Sequence, residues 1–181
     1  CSSDLLQAGV DASNLIFHGN NKTEEEIEFA LKNNVGTFAI DNFSEYKRIN
    51  RLAKNKQNIL IRINPCIHAE THTAVQTANW DSKFGFSMSP ETIDIISEIS
   101  KAHNFEGIHI HIGSQIFGTK SYFEAIDKII PFIKQIADRG IEVKTLDLGG
   151  GFGIRYTEND PEVTDKTLTK VVLDIVEHRS E

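Results

Sequence analysis

Long apolar runs are missing from these 181 residues. None approaches the roughly 18–20 consecutive apolar residues that a membrane-spanning helix needs, which excludes that class. Cysteine is scarce: Cys1 and Cys66 lie far apart, so neither a disulfide framework nor a four-ligand cysteine zinc site can be built from them. A reducing, cytoplasmic setting is the simplest expectation. Positive charge is not in excess either. Nineteen Lys and Arg stand against 26 Asp and Glu, a formal net charge of −7, and no basic stripe is present. That argues against an electrostatic nucleic-acid binder. The chain opens on Cys1-Ser2-Ser3-Asp4, with neither an initiator Met nor a basic-then-apolar leader, so a piece of a longer product is expected.

What is present fits a folded domain. Hydrophobic residues make up 39% and charged residues 25%, which excludes a disordered or fibrous chain. Short β-rich apolar runs at 15–18, 37–40, 59–63, 107–112 and 145–148 alternate with helix-period segments. Thr23 with Glu26 reads as a capping box, and Asn42 with Glu45 opens a second helix that turns Ile49, Leu52 and Ala53 inward. Ser89-Pro90 starts a third, with Ile93, Ile96 and Ile99 on its apolar face. Ser121 with Glu124 is expected to cap a fourth, with Ile126, Ile129, Ile130 and Ile133 inward. Pro131 should kink that helix and Gly140 end it. A fifth helix is predicted from about Asp165 to Val176.

Five strand–helix repeats imply a parallel sheet, either doubly wound or a (β/α)8 barrel. Every strand-like run ends in polar or glycine-rich chemistry, as at His18-Gly19-Asn20-Asn21, Asp41-Asn42 and Gly149-Gly150-Gly151. A barrel gathers all strand C-termini at one mouth, whereas an open sheet concentrates its site at one switch point, so the barrel is favoured. A complete barrel needs about 250 residues, and five units are fewer than eight, so a partial barrel is expected. The stretch 66–88 breaks the rhythm and reads as a long loop, of the kind that is usually functional or disordered.

Three successive glycines at a strand end, Gly149-Gly150-Gly151, expose backbone N–H groups and suit an anion such as phosphate. They are not a dinucleotide fingerprint, because Ile154 stands where the third glycine would be required. In His109-Ile110-His111-Ile112-Gly113-Ser114-Gln115 the period-2 alternation turns both histidines to one face, pointing into the barrel. They could ligate a metal together with His18, lie against a flat cofactor ring with Ser114 on its phosphate, or be hydrogen-bonded core residues. Arg62 and Lys83 are cations at or beside the proposed mouth.

The stretches Phe17-His18-Gly19-Asn20-Asn21-Lys22, Arg62-Ile63-Asn64-Pro65, Asp81-Ser82-Lys83-Phe84-Gly85, 109–117 and 146–154 fall in one order. Together they resemble the alanine-racemase-like pyridoxal-phosphate barrels, and among them the diaminopimelate decarboxylase branch rather than the ornithine one. The resemblance covers essentially the whole chain. It implies a TIM-type (β/α)8 barrel and a pyridoxal-phosphate-dependent carboxy-lyase that turns meso-diaminopimelate into L-lysine and carbon dioxide, the last step of lysine biosynthesis. It implies that His111 stacks on the pyridine ring and that Ser114, Gly149, Gly150 and Gly151 clamp the phosphate. It implies as well that the Schiff-base lysine lies on an earlier strand and that none of the lysines here has that context. A C-terminal β domain would complete the substrate site across a homodimer. Residues 1–181 are then expected to be a partial cofactor-binding barrel domain, inactive alone, with no catalytic residue or metal of its own and an open sheet edge prone to association.

Other readings stand beside this one. A decarboxylase of another basic amino acid, such as ornithine or arginine, could share the fold. A metal-dependent barrel hydrolase could use His109 and His111. A non-catalytic homologue could keep the barrel without the lysine.

Overall fold

The computed structural model describes residues 2–67, 84–158 and 160–180. Asp81, Ser82 and Lys83 lie outside the described residues, and with them most of the long loop read from the sequence. A short helix α1 (Ser2–Gln7) and a 3-10 turn (Ala12–Asn14) lead into β1 (Ile16–Phe17). From there the chain alternates: α2 (Glu24–Lys32), β2 (Thr37–Ile40), α3 (Phe43–Leu52), β3 (Asn58–Arg62), α4 (Pro90–Ala102), β4 (Asn104–His109), α5 (Lys120–Ala137), β5 (Thr145–Asp147) and α6 (Asp165–Ser180).

The starts of three helices follow from local chemistry, because the first N–H groups of a helix have no intrahelical acceptor. Thr23 Oγ1 accepts from the Glu26 N–H at 3.2 Å while Glu26 Oε2 accepts from the Thr23 N–H at 2.8 Å, the expected capping box. Asn42 and Ser89 cap α3 and α4 through one bond each, their side chains accepting from the Glu45 and Thr92 N–H groups, with Pro90 at the first helical position of α4. The fourth start differs from expectation. Helix α5 begins at Lys120 behind Thr119, which makes no side-chain cap, and Ser121 is instead buried in the first turn. The reason lies in the helix's inner stripe, Tyr122, Ala125, Ile126, Ile129, Phe132 and Ile136, which places Ser121 against the core. The same stripe corrects Ile130: one residue past Ile129 it has turned 100° outward, and it is 43% exposed. Helix α5 passes through Pro131, which sits on its exposed side.

All five strands are parallel and lie in chain order, β1-β2-β3-β4-β5. A doubly wound sheet would place later strands on both sides of the first. Here each strand pairs only with its sequence neighbours, which is the winding of a barrel. The sheet also curls. Three strand spacings separate β1 from β4, about 14 Å in a flat sheet. Yet the ring of His18, one residue past β1, lies 4.5 Å from that of His109 at the end of β4.

One face of the sheet packs on the helices. Phe38, Ile40, Ile59, Ile61, Ile108 and Ile110 are sealed there with Ile27, Ile49, Ile96, Ile99 and Ile129 in a single cluster. Each such isoleucine contributes about 1.5–3 kcal/mol of burial. The other face carries Ala39, Leu60 and Gly107, and then polar groups where the strands end. A bulge sets which residues of β4 go where. Ile59 pairs with Phe105 but Leu60 with Gly107, leaving Glu106 as the extra residue. Gly107 is required at this point, because a Cβ there would lie 1.9 Å from the Thr145 carbonyl oxygen. The ladder of β4 stops at His109, earlier than the run 107–112 suggests. Past Asp147 the chain turns at Gly149, whose Cβ would meet the Ile110 carbonyl oxygen at 2.5 Å, so no partner strand continues there.

Candidate functional site

Strand register brings the polar ends together. Arg62, His109 and Asp147 are paired across β3, β4 and β5. With His18, Gly19, Ala39, Asp41, His111, Gly149 and Gly150 they line a cleft of about 410 Å³ at the strand C-termini. Of the residues read as cofactor-binding, His111, Gly149 and Gly150 are therefore gathered in one cleft. Gly151 and Ser114 stand beside it, next to each other: a Cβ on Gly151 would lie 1.9 Å from the Gly113 carbonyl oxygen and 3.4 Å from Ser114 Cα. Ser114 is exposed.

The triple-glycine turn is held from three sides. The Gly149 N–H donates to Asp147 Oδ1 at 2.8 Å, the Tyr122 hydroxyl donates to the Gly150 carbonyl at 3.0 Å, and the Ile116 N–H donates to the Gly151 carbonyl at 2.9 Å. Gly149 and Gly151 both adopt positive φ, +69° and +99°, and a Cβ on Gly150 would meet nothing within 4 Å. The N–H groups of Gly150 and Gly151 make no hydrogen bond among the described residues. Two free donors in a left-handed turn, beside an exposed hydroxyl, form a cradle for an anion. A pyridoxal phosphate group fits this part of the chain: the cradle suits its phosphate, and the half-buried His111 imidazole suits its ring.

The charges are arranged in pairs. Arg62 Nη1 donates to Asp41 Oδ1 at 2.9 Å, the Gly85 N–H donates to Asp41 Oδ2 at 3.2 Å, and the guanidinium lies 5.0 Å from the Phe84 ring centre. Arg62 thus anchors the far end of the long loop onto β3, where Phe86 also bridges to Ile63, and its charge is already matched. Asp147 Oδ2 lies 3.0 Å from His109 Nδ1 and 3.6 Å from His18 Nε2. Burial would raise the Asp147 carboxyl. The neighbouring His109, the Gly149 N–H and His18 outweigh it and hold the group below its usual range. Partial burial, followed by the adjacent His109, lowers His18 to about 4. Burial, followed by Arg62 and His109, lowers His111 as well, so both rings are neutral near pH 7.

Lys22 does not face the cleft. Its ammonium donates to Glu45 Oε1 at 2.6 Å, Ala39 O at 2.6 Å and Gly19 O at 2.7 Å, and both partners of the pair are fully buried. Burial lowers the Lys22 pKa and raises that of Glu45, with their mutual attraction opposing both shifts. The pair fastens the His18-Gly19 turn to the end of β2. Asp41 was read only as a polar strand end, and Tyr122 and the parts played by Asp41 and Asp147 escaped the sequence reading. Asp41 and Asp147 carry the signal of an acid at a strand end, whereas nothing near Tyr122 marks it.

Residues 3–181 match the family described as pyridoxal-dependent decarboxylase, pyridoxal binding domain, and the chain belongs to that family. Its fold is accordingly the N-terminal barrel of these enzymes, and pyridoxal phosphate is the cofactor that the family binds. Among similar curated proteins are diaminopimelate decarboxylases of Staphylococcus aureus, 41% identical over 175 residues, and of Bacillus methanolicus, 40% identical over 178. Each alignment takes in 94% of this chain and 41% of the relative, so the chain spans about two fifths of their length. A crystal structure of diaminopimelate decarboxylase from Helicobacter pylori complexed with L-lysine superposes with a TM-score of 0.83. It is 32% identical and is matched over 97% of this chain and 45% of that one. No helix among the described residues is long and apolar enough to cross a membrane.

Proposed function

We propose that this chain is the cofactor-holding part of a diaminopimelate decarboxylase, which removes one carboxylate of meso-diaminopimelate as carbon dioxide and leaves L-lysine. The observation that carries the reading is the cleft lined by His111 and Gly150, with the unpaired N–H groups of Gly150 and the adjacent Gly151, in a chain about 40% identical to proteins of that name. When bound, pyridoxal phosphate supplies an electron sink for the charge that develops as carbon dioxide departs.

The chain's own residues have three tasks in this proposal. The N–H groups of Gly150 and Gly151 and the Ser114 hydroxyl bind the phosphate, and neutral His111 presents its ring face to the pyridine. Asp147 and Tyr122 position the glycine turn through Gly149 and Gly150. Among the described residues no lysine reaches the cleft lining, and Lys22, the buried one, is committed to Glu45. The covalent anchor and the remaining substrate contacts are therefore assigned to other parts of the enzyme, which is proposed to act as a cytoplasmic homodimer on a free amino acid. In this scheme residues 1–181 form a partial barrel domain that binds cofactor without turning it over.

Titration of the chain with pyridoxal phosphate, followed by absorbance, tests the reading. Weak saturable binding is expected, without a lysine-dependent imine band. Ser114→Ala should weaken it about tenfold, since a hydrogen bond to a charged group contributes about 1.5–3 kcal/mol, and His111→Ala should weaken it by up to about tenfold through the lost ring contact, about 0.5–1.5 kcal/mol. Binding untouched by either change would overturn the assignment.

A further inference from the structure

At the foot of the cleft, three side chains from distant strands converge. His18 follows β1, His109 ends β4 and Asp147 ends β5, and one ligand atom from each lies within 4.8 Å of the other two. They form a group that the cofactor reading leaves without a task, apart from the hold of Asp147 Oδ1 on Gly149. His109 is 6% exposed, and its Nδ1 is buried without a hydrogen-bond partner, although it stands 3.0 Å from Asp147 Oδ2. A buried imidazole nitrogen in that state needs either a proton aimed at the carboxylate or another electrophile.

The spacing suits a metal ion. Tetrahedral zinc, with bonds of about 2.0–2.1 Å to nitrogen and oxygen, has ligand atoms about 3.3 Å apart. Asp147 Oδ2 stands 3.0 Å from one imidazole nitrogen and 3.6 Å from the other, on either side of that value. The carboxylate's two oxygens have separate duties, because Oδ1 is already taken by the Gly149 N–H at 2.8 Å. Oδ2 is left to the ion.

We propose that His18 Nε2, His109 Nδ1 and Asp147 Oδ2 form a binding site for a zinc-class divalent ion, with the fourth position open to the cleft and filled by water. Two imidazoles and one carboxylate select borderline metals over magnesium or calcium, which require six or more oxygen ligands or a retained water shell. The ion ties β1 to β4 and β5 across the curl of the sheet. The site lines the same cleft as the proposed cofactor cradle and shares Asp147 with it, through Oδ1 on Gly149, but it uses neither His111 nor the free glycine N–H groups.

Cobalt(II), a spectroscopic stand-in for zinc, tests it on the chain as it exists. One cobalt per chain is expected, with the intense visible absorption of a tetrahedral site, displaced by one equivalent of zinc. His109→Gln, His18→Ala and Asp147→Asn should each weaken binding at least about tenfold, because loss of even an outer-shell partner costs about 10–100-fold. Asp147→Asn keeps Oδ1 as the acceptor for Gly149, so it serves as the variant expected to fold, and circular dichroism checks each one. His178→Gln, on α6, should bind as the parent does. Absent or weak six-coordinate cobalt binding would overturn the proposal and leave a plain His109–Asp147 contact. So would binding that survives His109→Gln in a folded chain. Pyridoxal phosphate titrated into the same samples reads the other assignment separately.

Discussion

On the helix side of the sheet, Phe38, Ile40, Ile59, Ile61 and Ile108 are sealed from solvent and touch other apolar groups. One residue along, on the cleft side, the same chain segments present Asp41, Arg62 and His109, with Arg62 paired to Asp41 and His109 3.0 Å from Asp147 of β5. The two layers are a single residue apart in sequence, yet they serve different ends. The apolar layer makes the stability, because burial is non-directional and scales with area. The polar layer makes the chemistry, because its groups act only at set distances and angles. The comparison teaches that a strand end can take on costly polar residues when its opposite face is already fully packed.

The largest effect is expected where this division fails. Glu45 and Lys22 are charged, yet as buried as any isoleucine. Glu45→Ala leaves the Lys22 ammonium buried without its counter-charge and should destabilise the chain by about 3–5 kcal/mol. Replacing both by Met and Leu should restore most of that loss, as urea denaturation would show. If the double variant is no better than the single one, the pair itself sustains the fold.

Next comes a direct contrast between the layers. Ile61→Ala should cost about 2–5 kcal/mol of stability. His111→Ala, on the cleft side, should cost about 1 kcal/mol or less while weakening cofactor binding. Denaturation and cofactor titration on both variants separate the two roles. Equal loss of stability would erase the distinction.

The smallest effect at neutral pH sharpens the link between the layers. Tyr122 sits in the core and holds Gly150 in the cleft, and burial pushes its hydroxyl up to about 12. Below pH 10 the phenol is protonated in both folded and unfolded chains. Between pH 10 and 12 only the unfolded chain ionises, so stability falls through that window by up to roughly 3 kcal/mol. Tyr122→Phe should lose about 1 kcal/mol at neutral pH and remove its share of the alkaline decline. A decline of the same size in the variant would place its origin elsewhere.

The parts of the fold legible in sequence are those whose cause spans a few residues. Thr23 with Glu26, Asn42 with Glu45, and Ser89-Pro90 specify their helix starts because cap and capped group are at most three residues apart. The same local reading misled at Ser121 and Ile130, where the face packed against the sheet, rather than the cap, decides which side is inward. Within the cleft, the glycines and His111 were legible as chemistry that suits a phosphate and a ring. The partners of Arg62 and Gly150 were not: Asp41 lies 21 residues from one and Tyr122 lies 28 residues from the other.

By itself the sequence determined five strand–helix units, polar strand ends, and a glycine turn with its donors exposed, because each is a property of neighbouring residues. Alternation also turns both histidines into the barrel, and they line the cleft, but only the tertiary structure decided how β4 brings them there. By alternation Phe105, Gly107, His109 and His111 share one face, and Phe105 is packed on the helix side. The bulge at Glu106, where β4 is held against Ile59 and Leu60 of one neighbour and Thr145 of the other, turns the rest of the strand over. That depends on the registers of three strands brought together from across the chain, which no local pattern contains.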